Sequence, residues 1–269
     1  MQERKKMSFL KKGLTGYQLK VLAMIFMLVD HLNMYFGPEL HWPLWINFLG
    51  RFVAPTFSFL LVEGYFHTRN KRRYLKRLLL GALVVGIGNI IYNLLTKSYI
   101  DPFDHQPNYL LFLGPHNIFL TLALQLIMMW SLDNILNKHR RKASWPTFIV
   151  SAILMFTFTE GGIYLLPLAL IFFLGRKYHK QAPMLGATFL WCALLFAKAY
   201  YSYSSGATAS VTLYEHLTFA SEFMMVAVIP LIWLYNGKRG GSGSQAEKSF
   251  FYIFYPVHLW IIYLIKAFV

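Results

Sequence analysis

Cysteine is almost missing. Cys192 is the single one in 269 residues and lies inside an apolar run, so no intrachain disulfide can form and no thiol redox chemistry is indicated. Charge is scarce too, at 14% of residues against about 25% in soluble domains. Acids are scarcer still: 11 Asp and Glu stand against 26 Lys and Arg. No internal repeat is visible. The only low-complexity stretch, Gly240-Gly241-Ser242-Gly243-Ser244, reads as part of a flexible linker over 237–248. The first apolar segment has no small-x-small cleavage site and is interrupted by polar residues, which argues against a removable signal peptide. Apolar residues fill the space: 57% hydrophobic and 18% aromatic, with a mean hydropathy of +0.44. The expectation is an all-α polytopic membrane protein forming one integral-membrane domain over 1–269.

A helix needs about 20 mainly apolar residues to cross the hydrocarbon core. Nine segments qualify, with a possible range of nine to ten: 17–37, 43–66, 75–95, 109–132, 144–159, 162–175, 183–202, 217–236 and 249–268. The pair 144–159 and 162–175 is short, and its members read as either a tight helical hairpin or a re-entrant pair. The net charge of +15 is a topology signal and not a nucleic-acid signal. Cations fall in alternate loops: Arg4 to Lys20, Arg69 to Arg77, Lys138 to Lys142, Arg176 to Lys180, and Lys238 to Lys248. The loops between them hold one lysine, Lys97, and most of the loop acids. The positive-inside rule then places the N-terminus in the cytoplasm.

Depth follows from topology. Asp30 and His31 interrupt the first span, and Lys20 precedes His31 by eleven residues. Eleven residues make three turns plus roughly 20°, so Lys20 and His31 share a stripe about 16 Å long. Arg51 lies in the outer part of the second span. Asn89 and Asn93 share a face of the third, and His116 and Asn117 begin the fourth, with Gln125 deeper. Glu160 ends the fifth, and Tyr255 and His258 are one turn apart in the ninth. Ionisable groups at bilayer depth face a protein interior or a watery cavity. Asp30 and His31 diverge by about 100° on a helix, so Asp30 is expected to meet another helix, with Arg51 as its charged partner. For Asn89, Asn93 and Gln125, plain hydrogen bonding between helices is an equal reading.

A second cluster closes the second span: Glu63, His67, Arg69, then Lys71, Arg72, Arg73, Lys76 and Arg77. A short basic loop satisfies topology by itself. The density also suits a ligand carrying several phosphates. The run Phe250 to Tyr255 before Pro256 and His258 fits either an interfacial aromatic belt or a kinked helix aiming His258 inward. The nine histidines give no pair at ligand spacing with a supporting carboxylate, so no metal is expected unless His31, His116 and His258 converge.

The runs Leu19-Lys20 to Asp30-His31, Gly50-Arg51 with Pro55, and Glu63 to Asn70 with Tyr74 and Arg77 resemble the TraX family. So do Tyr235 to Arg239 and Phe251 to Leu259. TraX-like proteins are in turn similar to a wider group of integral-membrane acyltransferases, including bacterial O-acetyltransferases and the lysosomal heparan N-acetyltransferase. Several of those place a basic residue, ten spacers and a histidine in the first helix, here Lys20 and His31. The resemblance implies acetyl transfer from cytoplasmic acetyl-CoA, in a bacterial cytoplasmic membrane, to a hydroxyl or amine of a glycan, lipid or peptide N-terminus. The founding TraX protein acetylates a pilin N-terminus. On this reading Lys20, Glu63, His67, Arg69, Arg72, Arg73 and Arg77 hold the donor, and His31, with Asp30 and Arg51, carries the chemistry. Asn89, His116, Asn117, Glu160, Tyr255 and His258 form the acceptor and oxyanion site. Transfer is either direct or through an acetyl-histidine. The competing expectation is a transporter or exporter with a mid-membrane polar site.

Overall fold

The structure is a computed structural model and describes residues 13–100, 106–107, 116–206 and 210–268. The basic residues from Arg4 to Lys12, and the start of the fourth predicted span, lie outside the described residues. Ten α-helices follow one another: α1 (Gly16–Phe36), α2 (Val53–His67), α3 (Lys71–Thr96), α4 (Ile118–Leu136), α5 (Arg141–Phe158), α6 (Gly162–Lys177), α7 (Gln181–Ser204), α8 (Leu213–Phe219), α9 (Val228–Leu234) and α10 (Gln245–Phe268). Short 3₁₀ helices, Leu44–Phe48 and Glu222–Ala227, lead into α2 and α9. Among the described residues there is no β-strand, only two isolated bridges. The fold is all-α, with a helix in every predicted span.

Six of these segments are long and apolar enough to cross a membrane, or seven if the bent pair Leu213–Phe219 and Glu222–Leu234 counts as one span. The nine expected spans therefore reduce at α5 and α6. At 16 residues α6 reaches about 24 Å, short of the roughly 30 Å hydrocarbon core, and the 18 residues of α5 open on Arg141 and Lys142, which shortens its apolar stretch. Their connection explains why they stop. Gly161 takes a left-handed φ of +63°, the backbone conformation that glycine adopts without a Cβ penalty. A Cβ on Gly162 would collide with the Met155 carbonyl. The chain turns there between α5 and α6.

Contacts divide the described residues into two compact units that interleave in sequence. One unit runs to Leu60 and resumes over Ile171–Lys248; the other comprises Leu61–Leu170 and Ser249 onward. In the first, α1 buries Leu19, Ala23 and Met27. The Phe59 ring meets Phe172 and Tyr235 edge-on at 5.8 and 5.5 Å, a favourable aromatic geometry. In the second, α4 is the most enclosed long helix, burying Leu122, Ala123, Leu126 and Met129. Opposite faces carry large apolar side chains into the surroundings: Leu83, Ile153, Leu190 and Ile261 are each more than half exposed. Exposure on that scale marks a membrane or interaction surface. The protein is a polytopic membrane protein.

The segment 237–248, glycine-rich and expected to be flexible, is tied to α1. Gly16 and Tyr17 donate their backbone N–H to the carbonyls of Lys238 and Arg239 at 2.9 and 2.8 Å. A helix start leaves its first N–H groups without partners inside the helix, and this strap satisfies two of them. Thr15 and Gln18 add a capping box, which serves the same need from within.

Candidate functional site

In the first unit, α1 is continuous from Gly16 to Phe36, so Lys20 and His31 are held on one rigid stripe. His31 is buried, at 4% exposure. One residue back, Asp30 turns to Arg51, whose guanidinium lies 3.5 Å from the carboxylate. The Arg51 Nε also donates to the Asn47 carbonyl at 3.0 Å. Asn33, one turn beyond Asp30, donates to the Asn47 side chain at 2.6 Å. Gly50 makes the ion pair sterically possible, because a Cβ there would collide with the Asp30 carboxylate. At the other end of the stripe the strap supplies charge. Lys20 lies within electrostatic reach of Arg239 and Glu247. The Glu247 carboxylate accepts from Arg239 at 3.3 Å, Ser242 at 3.0 Å and the Gly243 N–H at 3.1 Å.

The second unit contains a buried polar network. His116 Nδ1 sits 3.2 Å from Glu160 Oε1. Tyr255 donates its hydroxyl to Glu160 Oε2 at 3.3 Å and accepts the Ile118 N–H at 3.3 Å. The Glu160 carbonyl accepts from Thr121 at 3.1 Å, and Asn89 donates to the His116 carbonyl at 3.0 Å. A carboxylate on one ring nitrogen fixes the imidazole tautomer and orients the ring. His258 pairs its Nδ1 with the Phe254 carbonyl at 2.8 Å and stacks on the Phe254 ring at 4.8 Å. Its ring is edge-on to Tyr255 at 5.7 Å. Asn117, expected at the oxyanion site, caps α4 instead. Its side chain accepts from the Leu120 N–H at 3.2 Å and donates to the Ala82 carbonyl at 3.0 Å. An Asn directly before an apolar run is the cap signature that could have announced this.

The basic cluster separates into stripes. Lys71 reaches inward, donating to the Tyr65 hydroxyl at 2.6 Å and lying 3.6 Å from Asp133. The same hydroxyl donates to Asp133 at 2.7 Å, which ties the start of α3 to α4. Arg77 bonds Tyr252 and lies over the Tyr74 ring at 5.6 Å. His67 Nδ1 meets the Glu63 carbonyl at 2.7 Å. Asn70 caps α3 by accepting the Arg73 N–H at 2.8 Å. Arg69 and Arg73 are exposed. Arg72 lies on a different face, over leucines. Within this unit, Arg72 therefore stands apart from Arg69 and Arg73. Three residues were missed from the sequence: Arg239 beside Lys20, and Asp133 with Tyr65 around Lys71. Asp133 lies 68 positions from Tyr65, and Arg239 lies at the far end of the chain from Lys20, distances at which spacing carries no signal; Tyr65, six residues before Lys71, was hidden by its apolar run.

The TraX protein family model matches this chain over residues 15–266. The chain belongs to the TraX family. Among TraX-like relatives is the probable fimbrial assembly protein FimC, serogroup H1, of Dichelobacter nodosus, 30% identical across 94% of this chain and 96% of that protein. No solved structure matches. The TraX match takes in both units, so the Asp30–Arg51 pair and the His116–Glu160–Tyr255 network both fall inside the shared family region.

Proposed function

We propose that this TraX-family protein is an integral-membrane acetyltransferase of the bacterial cytoplasmic membrane. It moves the acetyl group of acetyl-CoA to a hydroxyl or amine of an acceptor. The observation that carries the reading is the α1 stripe. Two cations, Lys20 and Arg239, the second paired with Glu247, sit at one end, and a buried imidazole, His31, lies three turns along the same unbroken helix. Two cations suit the anionic nucleotide end of the donor, and Arg239 adds the planar fork that a lysine lacks. The positive-inside rule puts that end in the cytoplasm. His67, Arg69 and Arg73 are further phosphate-binding candidates by charge.

His31 then acts as general base. It takes the acceptor's proton as the oxygen or nitrogen lone pair adds to the thioester carbonyl. The tetrahedral oxyanion collapses, the carbon–sulfur bond breaks, and the imidazolium returns the proton to the leaving thiolate. CoA departs as the thiol and the acceptor keeps the acetyl group. Arg51, braced by Asp30, is the candidate for the developing negative charge. The fimbrial-assembly name of the Dichelobacter relative favours a surface-structure subunit with a free amine or hydroxyl as acceptor.

A specific observation supports a second choice of base: Glu160 on His116 Nδ1, the pairing that orients catalytic imidazoles. Purified protein in nanodiscs, supplied with labelled acetyl-CoA and membrane extract, distinguishes the two. His31→Ala is expected to lower transfer by about 10²–10⁴ while acetyl-CoA still stabilises the protein against heat. Near-normal transfer by that variant, with collapse in His116→Ala, would move the base to His116. The transporter alternative draws on the 62° break between α8 and the following 3₁₀ helix, a feature of transport folds. Absence of any thermal stabilisation by millimolar acetyl-CoA would favour it.

A further inference from the structure

We propose that the basic end of α3 carries a docking groove for an acidic phospholipid. This goes beyond acyl transfer and does not depend on it. The groove is shallow and formed by one face of α3 alone, lined by Arg72, Leu75, Lys76, Leu79, Leu80 and Leu83. Arg72 and Lys76 are four residues apart, so they stand one above the other on the same face. Both are exposed. Among the described residues neither forms an ion pair or a hydrogen bond, in contrast to Lys71, held by Tyr65 and Asp133, and Arg77, held by Tyr252.

Below the cations the helix offers hydrocarbon. Leu75, Leu79 and Leu83 repeat at four-residue intervals and form a ridge about 12 Å long. Leu79, Leu80 and Leu83 are 44%, 51% and 58% exposed. The two halves of the groove ask for the two halves of one molecule. A phosphate diester fits between a guanidinium fork and an ammonium, at the helix end whose dipole also favours an anion. An acyl chain continues along the leucines.

Charge complementarity selects the headgroup. The groove has two cations and no carboxylate, so nothing in it would receive the amine of a zwitterionic lipid. A soluble polyphosphate has no use for Leu79 and Leu83, which an acyl chain covers. The occupant is therefore an anionic glycerophospholipid, in the leaflet that the start of α3 meets.

Native mass spectrometry of the full-length protein, titrated with phosphatidylglycerol or phosphatidylcholine, tests this. The wild type should retain phosphatidylglycerol under activation that strips phosphatidylcholine. Arg72→Gln with Lys76→Gln should weaken phosphatidylglycerol by about fivefold per cation removed. Lys138→Gln with Lys142→Gln, which removes the same charge from another basic loop, should leave it unchanged. Each single variant, Arg72→Gln or Lys76→Gln, should fall between. Equal retention of the two lipids by the wild type would overturn the proposal. So would equal losses in both double variants, or a double variant that keeps phosphatidylglycerol and loses thermal stabilisation by acetyl-CoA, since the cations would then serve the donor.

Discussion

A carboxylate placed at membrane depth needs a partner, and the Asp30 carboxylate finds one only because Gly50 has no side chain. Its oxygens occupy the space where a Cβ would stand, with Arg51 next in the chain to receive them. Gly50→Ala is expected to destabilise the protein by about 1–3 kcal/mol through overpacking and to lower activity by displacing Arg51. The same change in an Asp30→Gly background, which removes every Asp30 atom the new methyl would meet, should cost much less. Thermal unfolding of the four proteins in detergent measures that coupling, and additive effects would count against the contact. Tyr255 carries a comparable burden, since one hydroxyl serves both Glu160 and the Ile118 N–H. Tyr255→Phe leaves the buried Ile118 N–H and one oxygen of the half-buried Glu160 short, at about 1–3 kcal/mol. A melting temperature unchanged from wild type would contradict that network. The Asp30–Arg51 pair was legible in the sequence because isolated charges in apolar runs must pair. The Glu160–His116–Tyr255 set was legible only as residues at similar depth. Its members come from the α5–α6 turn, the start of α4 and α10, and nothing local announces their contacts.

Element boundaries here are set by turns more than by hydropathy. Nine apolar segments were readable, and each is helical. α5 and α6 are separated at Glu160-Gly161-Gly162, where the turn uses a left-handed glycine and a close backbone approach at Met155. Gly162→Ala should disrupt this turn and, with it, the placement of Glu160. The expected result is loss of monodisperse protein on size-exclusion chromatography, and full recovery at wild-type yield would refute it. Glycine and serine make the strap read as flexible by composition, and the carbonyls of Lys238 and Arg239 within it are bonded to the start of α1. Gly240 sits at φ +67° against the Thr15 side chain, so both its conformation and its lack of a Cβ are in use. Gly240→Ala should speed proteolytic cleavage within 240–244, read by timed digestion of the purified protein.

On the scale of the whole molecule, composition fixed the class, since 14% charge and 57% apolar residues cannot cover a soluble surface. The interleaving of two units was beyond reach, because hydropathy says where a segment is buried and not which distant segment it packs against. Orientation can be checked directly. In a Cys192→Ser background, Ser242→Cys should react with a membrane-impermeant maleimide only after cells are opened, and Ser98→Cys in intact cells; the reverse pattern would invert the topology. The strap has one more implication, which concerns time. The amides of Gly16 and Tyr17 wait for carbonyls at Lys238 and Arg239, about 220 residues later, or roughly 10–45 seconds of synthesis at about 5–20 residues per second. The first helix to enter the membrane is thus among the last to be finished. A chain whose synthesis stops before Lys238 would carry all the residues of α1 and still lack its end.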